Sequence, residues 1–167
     1  MHDARKTRKC LEDFEDGTTF RYRVPGLTAE EIKAFAAQYD PQRFHLDEHA
    51  ASETHFGGLV ASGFQTQLKC FGPFCREALL DTSAVGAPGI DNLKWLRPWY
   101  PGEDLNVVVT LTGKRMSAKR TDRGYLSVSL LADVKGEPVL SMEWVIIMLT
   151  RQGQADAHAK AAGVAQA

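Results

Sequence analysis

Leu105-Asn106-Val107-Val108-Val109-Thr110-Leu111-Thr112 places large apolar side chains at 105, 107, 109 and 111, with smaller or polar residues between them. Successive side chains of a β-strand point to opposite faces, so this stretch reads as a strand with one buried face. The same two-residue period returns in Leu126, Val128 and Leu130, separated by Ser127 and Ser129, after a turn at Asp122-Arg123-Gly124. It returns again from Val139 to Leu149, beyond a turn at Lys135-Gly136-Glu137-Pro138. Strands joined by such short turns pair as antiparallel neighbours, because a parallel pair needs a crossover of a dozen or more residues. The second half of the chain is therefore predicted to be an antiparallel sheet.

Working back from that sheet, Leu93, Trp95 and Arg97 mark a short strand within Asp91 to Pro98, and Tyr100-Pro101-Gly102-Glu103-Asp104 marks a turn. Before Ala87-Pro88-Gly89 the period becomes helical. Phe64, Leu68, Phe71, Cys75 and Leu79 recur at spacings of three and four, the stripe of a helix facing a core. Gly72-Pro73 interrupts that stripe, leaving either a kinked helix or two short ones. Thr28-Ala29-Glu30-Glu31 is a capping box, and Ile32, Phe35, Ala36 and Tyr39 form the apolar face of the helix behind it. Pro41 disfavours the helical state at Asp40, so Asp40 is presented where that helix ends. Asp47 is placed to cap a short helix through Glu48 to Ser52. Thr18 to Val24, closed by Pro25-Gly26, reads as one more strand.

The expected organisation is a mobile, charge-rich arm over residues 1–17, one domain over 18–151, and a disordered tail rich in Ala and Gln over 152–167. The class is α+β, with helices gathered on one face of one sheet. In 167 residues there is enough chain for a single core, and 44% hydrophobic and 25% charged residues describe an ordinary globular protein. A net charge of −1 makes no case for nucleic acid or an anionic membrane surface. No apolar run approaches the length of a membrane span, and residues 1–17 have no signal-peptide core. Cys10, Cys70 and Cys75 lack metal-ligand spacing and suggest free thiols in a reducing compartment, so a cytoplasmic location is expected.

Two stretches carry chemistry. Tyr39-Asp40-Pro41-Gln42-Arg43-Phe44-His45 holds a carboxylate and an imidazole five residues apart. On one continuous helix that spacing turns roughly 140°, but on a segment broken at Pro41 the two side chains can converge on one water and move its protons. The same spacing also describes a helix-end turn residue and a surface histidine. Phe56-Gly57-Gly58-Leu59-Val60-Ala61-Ser62-Gly63 is a glycine-rich approach to the second helix. An unpaired N–H of Gly63 at that positive helix end suits an oxygen that gains negative charge, although a tight turn would also call for glycine. Lys114, Arg115, Lys119, Arg120 and Arg123 gather around a predicted hairpin end, where they could hold the phosphates of a nucleotide-bearing substrate, although such a cluster is more often only a solvated loop. Trp95, Trp99 and Trp144 read as core or dimer-contact aromatics. His49 follows His45 by one helical turn without a third ligand, so no metal is expected.

These blocks resemble the MaoC-like dehydratases, a family that includes the (R)-specific enoyl-CoA hydratases. The resemblance rests on Tyr39 to Asp47, Ala50-Ala51, Phe56 to Gly63, Leu93-Lys94-Trp95-Leu96-Arg97-Pro98, Pro101-Gly102-Glu103-Asp104-Leu105 and Gly136-Glu137-Pro138-Val139-Leu140, in that order. It implies a hotdog fold, a long helix wrapped by an antiparallel sheet, usually assembled as a homodimer or a higher homo-oligomer. It also implies Asp40 and His45 as a catalytic pair that adds water syn to a trans-2-enoyl-CoA, or removes it. The thioester oxygen would lie at Gly63, with Ser62 beside it, and the basic cluster would meet the CoA phosphates. The acyl-CoA is then a substrate, and no further cofactor is implied. The family's pattern often has Asn two residues after the Asp, where this chain has Gln42, and its Pro falls at 41. A hotdog thioesterase, which would not need His45 at this spacing, and a non-catalytic acyl-CoA or acyl-carrier binding module are the competing readings.

Overall fold

The computed structural model describes residues 8 to 164. The alternating stretches form the three longest strands among them: β4 (Leu105–Met116), β5 (Arg123–Val134) and β6 (Glu137–Leu149). β5 lies antiparallel between β4 and β6, and β1 (Thr19–Val24) adds to the free edge of β4. Two shorter strands, β2 (Ala84–Gly86) and β3 (Ile90–Trp95), both pair with β6, giving the order β1-β4-β5-β6-β2 with β3 also on β6. β3 matches the expected strand in place but shifts register between Asp91 and Lys94. β2 had no alternating pattern to announce it.

One face of this sheet is the core. Val107, Val109 and Leu111 from β4, Leu126, Val128 and Leu130 from β5, and Leu140, Met142 and Met148 from β6 are all buried. Against them lies α4 (Gly63–Phe74), whose Phe74 meets Trp144 and Phe20 edge-to-face at 5.9 and 5.4 Å. Pro73 neither ends nor divides this helix. The α-helix runs through it to Phe74 and passes into a π-helical turn, Cys75–Leu79, whose longer repeat takes up the local disruption. Three more helices, α1 (Ala29–Tyr39), α2 (Arg43–Leu46) and α3 (Glu48–Ser52), precede α4. The predicted capping box is present: Thr28 Oγ1 accepts from Glu31 N–H (3.2 Å), and Glu31 Oε2 accepts from Thr28 N–H (2.9 Å). Asp47 caps α3 by accepting from Ala50 N–H at 2.8 Å.

Three expectations need correction. The stripe on α4 does not face the core as a whole: Phe64 and Leu68 are exposed, while Gln65, Thr66, Cys70 and Phe74 are the buried residues. With Val85 and Ile90, also exposed, the outward residues leave an apolar surface. An apolar helical stripe marks a face that is covered by something, and periodicity does not say by what.

The described part of the arm is anchored. Cys10, Leu11 and Phe14 are buried, Lys9 forms a bridge with Thr82, and Lys114 Nζ donates to the Phe14 carbonyl at 2.6 Å. Three apolar residues within five positions are enough to tie a short turn to a core edge; residues 1–7 lie outside the described residues. The tail from Arg151 to Val164 is a helix, α5, because alanine is the strongest helix former even where no large apolar residue anchors it. Its first turn is held by Arg151 N–H on the Glu12 carboxylate and by Cys10 Sγ donating to Gln154 Oε1 at 3.0 Å. Gly153 is obligatory there, since a Cβ would sit 2.0 Å from the Asp122 carbonyl oxygen. Residues 165–167 are outside the description.

Candidate active site

Asp40 caps the C-terminus of α1, with φ −152° and ψ 69°, as the following proline requires of a residue leaving a helix. The chain turns through Pro41 and Gln42 and re-enters helix at α2, which carries His45. This second, one-turn helix is what overcomes the angular mismatch of a five-residue spacing. His45 is 5% exposed, and its Nε2 stands 3.4 Å from Asp40 Oδ2. The surface-histidine alternative is therefore excluded.

The other imidazole nitrogen is already bonded. His45 Nδ1 lies 2.7 Å from the Val60 carbonyl oxygen. A carbonyl can only accept, so Nδ1 carries the hydrogen, and Nε2, toward Asp40, is the nitrogen left to take up or give a proton. Nothing in the side chain of Val60 advertised this role; the acceptor is backbone, delivered by the loop from Phe56 to Ser62. Phe44 packs edge-to-face on the His45 ring at 4.4 Å and walls its other side.

Asp40 is held as firmly. Its Oδ2 accepts from Ser62 Oγ at 2.7 Å, and its Oδ1 accepts from Gln42 Nε2 at 2.8 Å. Burial raises the Asp40 pKa, but the hydrogen bonds from Ser62 and Gln42 and the nearby His45 outweigh it, leaving the carboxyl below its ordinary value. Gln42 thus donates to the carboxylate from the position where the family pattern has Asn. Ser62 is fully buried and has two tasks: it orients Asp40, and it caps α4 by accepting from Phe64 N–H at 3.2 Å. Gly63 follows as the first residue of α4, where an N–H has no partner inside its own helix.

These groups share one cleft of about 360 Å³, lined by Asp40, His45 and Gly63 and closed by apolar side chains including Phe56, Trp95 and Val139. Its far wall is stitched to the glycine-rich loop. Ala61 N–H donates to the Trp99 carbonyl (2.9 Å), and Tyr100 Oη donates to the Phe56 carbonyl (2.7 Å). Arg97 grips Glu103 with two hydrogen bonds of 2.8 and 2.6 Å, and this contact holds the Glu103 carboxyl below the ordinary range. The Leu93–Pro98 and Pro101–Leu105 blocks thus meet as one braced wall.

The basic cluster is elsewhere. Trp95 beside the cleft pairs with Leu140, opposite Ala132, whereas the hairpin end is at Gly124. Eight residues of strand separate these positions, roughly 25 Å at the usual rise. Arg120 and Arg123 both hold Asp122, Lys114 is spent on the carbonyls of Glu12 and Phe14, and Arg115 stacks over Tyr125 at 4.2 Å. Lys119 is on the same hairpin end and likewise does not line the cleft. The expectation that these five residues serve the cleft is corrected for a single chain: a twelve-residue strand carries the hairpin away from it. His49 is exposed beside Glu53, and the described residues contain no group of three or more metal-ligating side chains.

The MaoC-like domain family matches residues 13–130, most of the chain. The chain belongs to the MaoC-like family. Its relatives include the uncharacterized protein YdeM of Bacillus subtilis, 30% identical over 120 residues, covering 72% of this chain and 84% of YdeM. Among solved structures, a MaoC-like dehydratase from Rhodospirillum rubrum is 34% identical with a TM-score of 0.75, covering 85% of this chain and 97% of that one. An (R)-hydratase from A. caviae is 22% identical with a TM-score of 0.65, covering 81% and 97%; at that identity the likeness is one of fold. The hotdog architecture, a helix packed on an antiparallel sheet, is common to this MaoC-like chain and those neighbours.

Proposed function

We propose that this MaoC-like protein is a hydro-lyase that adds water reversibly and syn to a trans-2-enoyl-CoA, giving an (R)-3-hydroxyacyl-CoA. The observation that carries this reading is the pair of contacts made by the His45 ring: with Nδ1 2.7 Å from the Val60 carbonyl oxygen, Nε2 faces an Asp40 oxygen at 3.4 Å inside a largely apolar cleft. A water held by both groups can give up a proton there. Its oxygen bonds to C3 of the enoyl thioester, and the C2=C3 electron pair moves to an enolate whose charge rests on the thioester oxygen. The Gly63 N–H at the start of α4 stabilises that oxygen, and the proton taken from the water returns to C2. Asp40 and His45 act as one coupled acid–base pair in this scheme. Dehydration is the same path reversed.

The exposed apolar face of Phe64, Leu68 and Ile90 supports assembly as a homodimer. Sedimentation at micromolar concentration tests this, and a monomer contradicts it. The three free cysteines support a reducing, cytoplasmic setting within acyl-CoA metabolism. No helix among the described residues is long and apolar enough to cross a membrane.

The deciding experiment is incubation with crotonyl-CoA, following loss of the conjugated thioester absorbance with chiral analysis of the product. Formation of (R)-3-hydroxybutyryl-CoA is the expected result. Release of free CoA that persists in His45→Ala would instead favour a thioesterase, and binding without absorbance change would favour a non-catalytic module.

A further inference from the structure

Gly63 has a second constraint besides ligand approach. A Cβ built on it would stand 2.5 Å from Trp95 Cε2, 2.6 Å from Nε1 and 2.7 Å from Cδ2. Cε2 is a ring-fusion carbon without a hydrogen and hemmed in by its neighbours, so a position nearest to it lies over the ring rather than at its edge. The indole face therefore lies flat against the backbone of Gly63, the residue to which the proposed function assigns the thioester oxygen. Phe64 holds the indole in place, edge-to-face at 5.4 Å, and the Trp95 backbone is fixed by β3 pairing opposite Leu140. Trp95 is nevertheless 49% exposed and lines the cleft, whereas Trp99 and Trp144 are buried in the core. A large aromatic pinned on a backbone amide, with open space along its flank, is placed to touch a ligand.

Resting on the hydratase reading, we infer that Trp95 is a substrate-positioning and specificity-determining residue. Its indole forms the wall on which the thioester end of the substrate packs when the carbonyl oxygen is on the Gly63 N–H, and it leaves no room for a branch at C2. A carbonyl oxygen bonded to that N–H brings the carbonyl carbon and C2 alongside Gly63, next to the space that the indole fills. The substrate class is thereby narrowed to enoyl thioesters unbranched at C2. The absence of a side chain at Gly63 serves the indole as much as the ligand.

The first test titrates the full chain with butyryl-CoA, a saturated thioester that cannot be hydrated, by calorimetry and tryptophan emission in parallel. Saturable binding with an emission change that Trp95→Phe abolishes is the expected result. Calorimetric binding without any emission change overturns the role of Trp95 and leaves the hydratase reading standing. Absence of calorimetric binding removes the acyl-CoA reading and this inference with it. The second test compares crotonyl-CoA with its 2-methyl homologue, tiglyl-CoA. Wild type should prefer the unbranched thioester by about tenfold or more, the usual worth of one methyl group in a packed site. Trp95→Ala should raise KM for crotonyl-CoA more than it lowers kcat and should erase that preference, while Trp95→Phe restores most of both. An unchanged preference in Trp95→Ala overturns the specificity claim.

Discussion

Two charged clusters stand out in this chain, and the fold treats them in opposite ways. At the hairpin between β4 and β5, Arg120 and Arg123 converge on Asp122, and Lys114 and Arg115 find partners nearby, so each named cation already has a local partner. At the junction of α1 and α2, Asp40 and His45 are drawn into a cleft and oriented by Ser62, Gln42 and the Val60 carbonyl. There the supporting bonds leave a ring nitrogen and a carboxylate oxygen directed at the same space. Density of charge is thus a poor guide to a site. What separates the two regions is whether the local hydrogen bonds use up the reactive atoms or aim them.

The sharpest way to break this contrast is Asp40→Asn. Loss of the carboxylate is expected to lower kcat for crotonyl-CoA hydration by about 10²–10⁴-fold with the thermal transition retained. Turnover within twofold of wild type would dismiss the assigned pair. Next in size is Gly63→Ala, which pushes a methyl group into the Trp95 ring. Overpacking of this kind costs about 1–3 kcal/mol, measurable by urea unfolding, and should come with a higher KM.

Ser62→Ala sharpens the comparison through pH. Asp40 has a folded pKa below its ordinary 3.8, so its contribution to stability is complete above that value and is lost as pH falls through the lower folded one. Removing the Ser62 donor brings the folded pKa back toward the ordinary value, so the Asp40-dependent loss of stability on acidification should start at the same pH but be smaller and be complete at a higher pH than in wild type. Acid titrations of urea stability for the two proteins, each set against its own Asp40→Asn background, check the sign. The smallest effect is expected from Arg120→Ala. This side chain is committed to Asp122 far from its own cleft, so KM for crotonyl-CoA should stay within about twofold, as for a surface change away from any site. A large rise in KM would return the hairpin to the substrate.

The strand half of the fold was open to reading because its alternation is local: each apolar residue of β4, β5 and β6 needs only its own backbone to point inward. The capping box at Thr28 and the stop at Pro41 were legible for the same reason. The apolar stripe of α4 was misleading, because helical periodicity shows that a face is apolar and not which surface covers it. Phe64 and Leu68 look outward, while Gln65 and Thr66 are buried. The tail shows the converse: composition poor in large apolar residues argued for disorder, yet alanine propensity and contacts with Glu12 and Cys10 make α5.

By itself the amino-acid order determined the sheet, the helix that ends at Asp40, the presence of a carboxylate and an imidazole near that end, and the family pattern they belong to. Tertiary structure alone decided that His45 is buried, that a carbonyl fifteen residues away fixes which of its nitrogens is left to exchange a proton, and that an indole from β3 lies on Gly63. The physical reason is one of range. Propensity, capping and alternation act between residues a few positions apart, whereas the reactivity of a side chain depends on the atoms that crowd it and bond to it, and here those atoms come from distant parts of the chain.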